Sequence, residues 1–73
     1  MPKKSKPIGI KIKAARTRAG LSRHALMMNL KALGLDITEA TIYNWERGQT
    51  MLDADELFTM AKALNVPLNF FYS

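Results

Sequence analysis

The sequence predicts an all-α fold, a compact bundle of about five short helices. Three observations lead there. Apolar residues recur at helical spacing, and no stretch alternates with a period of two. Ser22, Thr38 and Asp53 stand where periodic stretches begin, as helix caps do. Gly20, Gly34 and Gly48 stand where those stretches stop.

Taken in order, residues 1–7 (Met1-Pro2-Lys3-Lys4-Ser5-Lys6-Pro7) read as a flexible basic arm, polar and bounded by proline. Residues 8–73 read as one domain, small but able to bury a core if its helices pack well. From Ile8, the residues Ile8, Ile12, Ala15 and Ala19 keep one helical face apolar until Gly20, with Lys11, Arg16 and Arg18 beside the stripe. Ser22 caps a second helix with Leu26, Leu30 and Leu33 inward, closed by Gly34. Thr38 caps a third, over 39–47, and Glu39 in its first turn suits the positive end of the dipole. Steps of 100° put Ile42, Trp45 and Glu46 on one side of it, and Ala40, Tyr43, Asn44 and Arg47 on the other. Asp53 and Glu56 have capping-box spacing before a fourth helix with Leu57, Met60, Ala61 and Leu64 inward. Pro67, Leu68, Phe70 and Phe71 suggest a short fifth element that closes the core.

Charge narrows the function. The formal net charge is +5, and its placement says more than its size. Residues 1–31 hold nine Lys or Arg and no acid; the later residues set Arg47 and Lys62 against six acids. An unopposed basic half is the footprint of a polyanionic partner, most commonly nucleic acid. No apolar run is long enough to span a bilayer and no signal-peptide pattern opens the chain, so a cytoplasmic protein is expected. With no Cys and one His, neither a metal site nor a cofactor is expected. The acids are scattered over cap positions and no phosphate loop is present, so an enzyme is not expected, nor is a small-molecule substrate.

The segment Thr38-Glu39-Ala40-Thr41-Ile42-Tyr43-Asn44-Trp45-Glu46-Arg47-Gly48 resembles the recognition helix of the helix-turn-helix proteins typified by the Cro and CI phage repressors, often called XRE-like. Ile8-Gly9, Ile12 and Arg16, then Gly20-Leu21-Ser22, stand where that family has its first-helix core and second-helix cap. Leu57 and Ala61-Lys62-Ala63-Leu64-Asn65-Val66 stand where it has its fourth-helix core. The resemblance covers residues 8–71 and implies a lambda-repressor-like domain. Three departures stand out. Arg23 replaces the family's usual Gln after the second-helix cap. The stretch from Leu26 to Thr38 is longer by about five residues, more than one helical turn, which lengthens helix two and its turn. Met51-Leu52 stands where the family often has proline before helix four.

The resemblance and the helical wheel agree on a base-facing set of Glu39, Ala40, Tyr43 and Asn44, with Thr41 near the backbone or a base edge. An amide such as that of Asn44 pairs bidentately with adenine, Ala40 suits a thymine methyl, and Glu39 can accept from cytosine N4. Phosphate positioning is expected of Arg23, Arg47, Lys11 and Ser22, with Lys3, Lys4 and Lys6 on the arm. The resemblance further implies a partly buried ion pair between Arg16 and Glu46. His24 falls at an exposed first-turn position and reads as a surface histidine. Met27 and Met28 lie outside the inward stripe, as adaptable packing or an association surface.

The expectation is therefore a sequence-specific regulator of transcription, of repressor type, that reads the major groove of double-stranded DNA with helix 39–47. One such helix contacts few bases, so a homodimer on two half-sites is expected, in a bacterial or phage-infected cell at the nucleoid. The alternative is a protein-interaction module on the same fold; the long turn and the aromatic run Phe70-Phe71-Tyr72 are the features that favour it.

Overall fold

The structure, a computed structural model, describes residues 8–72. The basic arm expected over residues 1–7, its lysines Lys3, Lys4 and Lys6, and Ser73 lie outside the described residues. Four α-helices follow one another: α1 (Ile8–Arg18), α2 (Arg23–Ala32), α3 (Glu39–Glu46) and α4 (Ala54–Leu64). A 3-10 turn, η1 (Leu68–Tyr72), ends the described chain, and no strand occurs among the described residues.

The helices α2, α3 and α4 each begin where a side chain takes an orphaned backbone N–H. The Ser22 hydroxyl oxygen accepts from the Ala25 N–H at 3.0 Å, and that of Thr38 from Thr41 at 3.2 Å. Asp53 and Glu56 make a reciprocal capping box, each backbone N–H donating to the other's carboxylate at 2.9 and 2.8 Å. At the far ends the chain turns left-handed. Gly48 (φ 74°) follows α3, and Gln49 N–H closes back on the Asn44 carbonyl at 2.8 Å. Asn65 does the same after α4 at φ 59°, a conformation asparagine tolerates better than other residues with a Cβ.

One continuous core joins these elements. Ile12 and Ala15 of α1, Leu26 and Leu30 of α2, Ile42 and Trp45 of α3, Leu57, Met60, Ala61 and Leu64 of α4, and Phe71 of η1 are all buried. These are the 3.6-period positions of each helix, so amphipathic spacing alone accounts for them. Phe71 fills the centre while Phe70 is half-buried and Tyr72 exposed, so the aromatic run is split between core and surface. Met27 is half-buried against the core and Met28 is exposed.

Two apolar positions differ from the periodic expectation. Leu33 is 45% exposed, because α2 stops at Ala32 and Leu33 is its C-cap. Gly34 then reverses the chain, the Leu35 N–H bonds the Leu30 carbonyl at 2.9 Å, and half-buried Leu35 packs on the core in place of Leu33. Ala19 likewise lies past the end of α1 and is exposed. Residues 33–38 form the long connection, with Leu35 and Ile37 holding it to the core.

The helices α1 and α3 pack backbone to backbone at one point. Gly9 is buried in the first turn of α1, and a Cβ there would stand 2.7 Å from the Glu46 carbonyl oxygen and nearer still to that of Trp45. Only glycine allows the two backbones to touch at that point.

Candidate nucleic-acid interface

The site grows from the inner face of α3 outward. Ile42 and Trp45 anchor the helix in the core, and Glu46 beside them is 7% exposed. A buried carboxylate has to be paired. Arg16 of α1 donates Nε to Oε2 of Glu46 at 2.6 Å and Nη2 to Oε1 at 3.3 Å. The third donor of Arg16, Nη1, bonds the Leu21 carbonyl at 2.9 Å and so ties down the α1–α2 turn. Arg23, the first residue of α2, adds a further bond from its Nε to Oε1 of Glu46 at 3.0 Å. One carboxylate thus organises three helices. No buried side-chain polar atom among the described residues lacks a partner.

Arg23 carries the network to the surface. Its side chain is 34% exposed, and its guanidinium carbon sits 4.9 Å from the centre of the Tyr43 ring. The guanidinium carbon of Arg47 lies 5.2 Å from that same ring centre. Tyr43, one turn before Arg47 on the outward side of α3, therefore engages both arginines. Glu46 is bonded by Arg16 and Arg23, while Arg47 contacts only the Tyr43 ring, so the cluster keeps an excess of positive charge at its exposed end.

Around this cluster lie the other outward residues. Glu39 and Ala40 are exposed at the start of α3, Thr41 and Asn44 are half-buried, and Tyr43 is 46% exposed. The side-chain amide of Asn44 makes no hydrogen bond among the described residues, which leaves its donors and acceptor for a ligand. The Thr41 hydroxyl lies 3.1 Å from that of Thr38. Oε2 of Glu39 lies 2.8 Å from Nδ1 of His24, a link between α2 and α3. Ser22 caps α2 next to Arg23, placing the free N–H groups of that helix start beside the guanidinium.

Lys11 belongs to a different neighbourhood. Its ammonium lies 5.1 Å from the centre of the Phe70 ring, so it packs on η1 and takes no part in the Arg23–Tyr43–Arg47 cluster. The contacts of Glu46 with Arg23, and of Tyr43 with both arginines, do not follow from the sequence reading. Arg23 in place of a neutral residue at the start of α2 is the one sequence signal that points toward them. Among the described residues no group of three or more His, Cys, Asp or Glu is arranged to hold a metal ion. No described helix is long and apolar enough to cross a membrane.

Residues 12–71 match the family model described as helix-turn-helix. Among solved structures, the crystal structure of the restriction-modification controller protein C.AhdI from Aeromonas hydrophila superposes with a TM-score of 0.77 at 26% sequence identity. That match covers 90% of this chain and 92% of the controller protein. No curated protein sequence is significantly similar to the chain.

Proposed function

We propose, from the premise that the chain belongs to the Cro/CI-type helix-turn-helix family of DNA-binding transcription regulators, that it is a sequence-specific repressor reading the major groove with α3. The observation that carries this reading is the outward face of α3. An unengaged amide at Asn44 lies one residue from Tyr43, which holds two arginines in a cationic cluster. Such an arrangement suits a polyanion whose edges are read by a neighbouring amide. The likeness to a controller protein supports the regulatory half of the reading.

Within it, Asn44 takes the base contact, with Ala40 against a thymine methyl and Thr41 near the backbone. Glu39 acts as a filter: a carboxylate accepts from cytosine but repels phosphate. Arg23, Arg47 and the Ser22 helix start take phosphates, and Lys11 is the outlying contact. The repressor binds as a homodimer, because one short helix reads too few base pairs to mark a unique site.

Selection from a random duplex library, followed by binding of the recovered duplexes at several salt concentrations, tests the proposal. A two-fold symmetric motif is expected, and Asn44→Ala should erase its enrichment while leaving salt dependence in place. Equal, weak binding of every duplex would overturn sequence reading by α3 and return the fold to a protein-interaction role.

A further inference from the structure

Tyr43 has its ring between two demands. As an exposed aromatic on the outward side of α3 it is available to DNA, yet its ring already engages Arg23 and Arg47 at 4.9 and 5.2 Å. Its hydroxyl makes no hydrogen bond among the described residues, so what the structure uses of Tyr43 is the ring. We propose that Tyr43 is a positioning residue: it holds the guanidiniums of Arg23 and Arg47 together as one paired cation site for the DNA backbone, and it does not read a base. The inference rests on the DNA-binding reading above and deepens it.

The geometry explains why a holder is needed. Arg23 comes from the start of α2 and Arg47 is the C-cap of α3, so neither is placed by the helix of the other. Both side chains are long, and a free arginine gives up much rotamer freedom on docking. Arg23 is fixed at two points, by its Nε bond to Glu46 and by the Tyr43 ring. That leaves Nη1 and Nη2, which carry no hydrogen bond among the described residues, as the edge that can take a phosphate in a two-bond grip. Arg47 has no carboxylate partner among the described residues, and its only contact of this kind is the Tyr43 ring.

Charge explains why the pair waits for an anion. Two guanidiniums attracted to one ring repel each other, and the carboxylate that Arg23 bonds, Glu46, is buried and shared with Arg16. The ring quadrupole offsets part of that repulsion without neutralising it. A phosphate, or two successive phosphates of one strand, completes the cluster.

The test is a cycle of variants read by fluorescence anisotropy on two labelled probes: a mixed-sequence duplex and the best duplex recovered by selection. Tyr43→Phe keeps the ring and is expected to stay within about twofold of wild type on both probes, with an unchanged salt slope. Tyr43→Leu is expected to weaken both probes alike, by about five- to tenfold. In a protein already carrying Arg23→Ala and Arg47→Ala, whose salt slope should fall by about 2, Tyr43→Leu should change nothing further. Thermal melts of each variant establish that it is folded.

The same five- to tenfold loss from Tyr43→Leu without the two arginines would mean that the ring touches DNA itself, and would overturn the proposal. So would a changed sequence preference in Tyr43→Phe, which would make the hydroxyl a reader. In both cases wild type still binds, so DNA binding survives. If wild type binds neither probe at any salt concentration, the DNA-binding reading falls and takes this one with it.

Discussion

Arg16 and Glu46 meet across thirty residues of chain, with Nε 2.6 Å from Oε2 and both side chains almost out of water. The carboxylate is the centre of the arrangement, since Arg23 also bonds it. The members of this network are therefore unequal in what their loss costs. Glu46→Ala strands nearly buried Arg16 without a counter-charge and should destabilise by about 3–5 kcal/mol. Arg23→Ala removes a partner that is one-third exposed and should cost about 1 kcal/mol or less. Urea denaturation of the two variants checks this, and equal losses would mean that Arg23 bears as much of the fold as Glu46.

Gly9 is held by backbone alone. In an ordinary helix interior, Gly→Ala gains about 1 kcal/mol from helix propensity. Here the added Cβ would meet the carbonyl oxygens of Trp45 and Glu46, which cannot rotate away. Gly9→Ala should reverse the usual sign and cost about 1–3 kcal/mol. A melting temperature above wild type would show that α1 shifts off α3 at little cost.

The two leucines near the end of α2 differ in their surroundings. Leu30 is fully buried and Leu33 is 45% exposed. Leu30→Ala should lose about 2–5 kcal/mol, whereas Leu33→Gln should stay within about 0.5 kcal/mol. Chemical denaturation of both reads out where α2 ends, because an inward Leu33 would make the second change expensive.

On DNA, two neighbours on the exposed side of α3 should fail differently. Asn44→Ala should cost about 1–3 kcal/mol on the selected duplex and leave mixed-sequence binding alone. Arg47→Ala should weaken all duplexes and make the salt slope shallower by about 1. Titrations of both variants on both probes at several salt concentrations distinguish them; a loss confined to the selected duplex for Arg47→Ala would make it a base reader.

Much of the fold is legible in the sequence because its signals are local. Ser22, Thr38 and the Asp53–Glu56 box cap helices within three residues of themselves, and the buried positions Leu26 and Leu30, or Ile42 and Trp45, follow from 100° steps. Periodicity misleads only where a helix has already stopped, at Ala19 and Leu33, since a wheel has no end. The outward side of α3 is legible for the same local reason. What escapes is tertiary: the Gly9 contact depends on a missing side chain opposite a backbone in another helix. The placement of Arg23 depends on a carboxylate twenty-three residues away and an aromatic ring beside it.

The bare contact at Gly9 has a mechanical side. Side chains between packed helices can change rotamer and let one helix slide on another, but two touching backbones have no such give. With its C-terminal carbonyls resting on α1, α3 cannot pivot at that end unless α1 moves with it. The presented face is therefore carried as part of a stiff body, whose angle is set when the domain folds and not when it meets a partner. Any adjustment at the meeting falls to the outer side chains or to the partner; on the proposed DNA reading, a duplex that bends easily at the right step should fit better than a stiff one carrying the same bases.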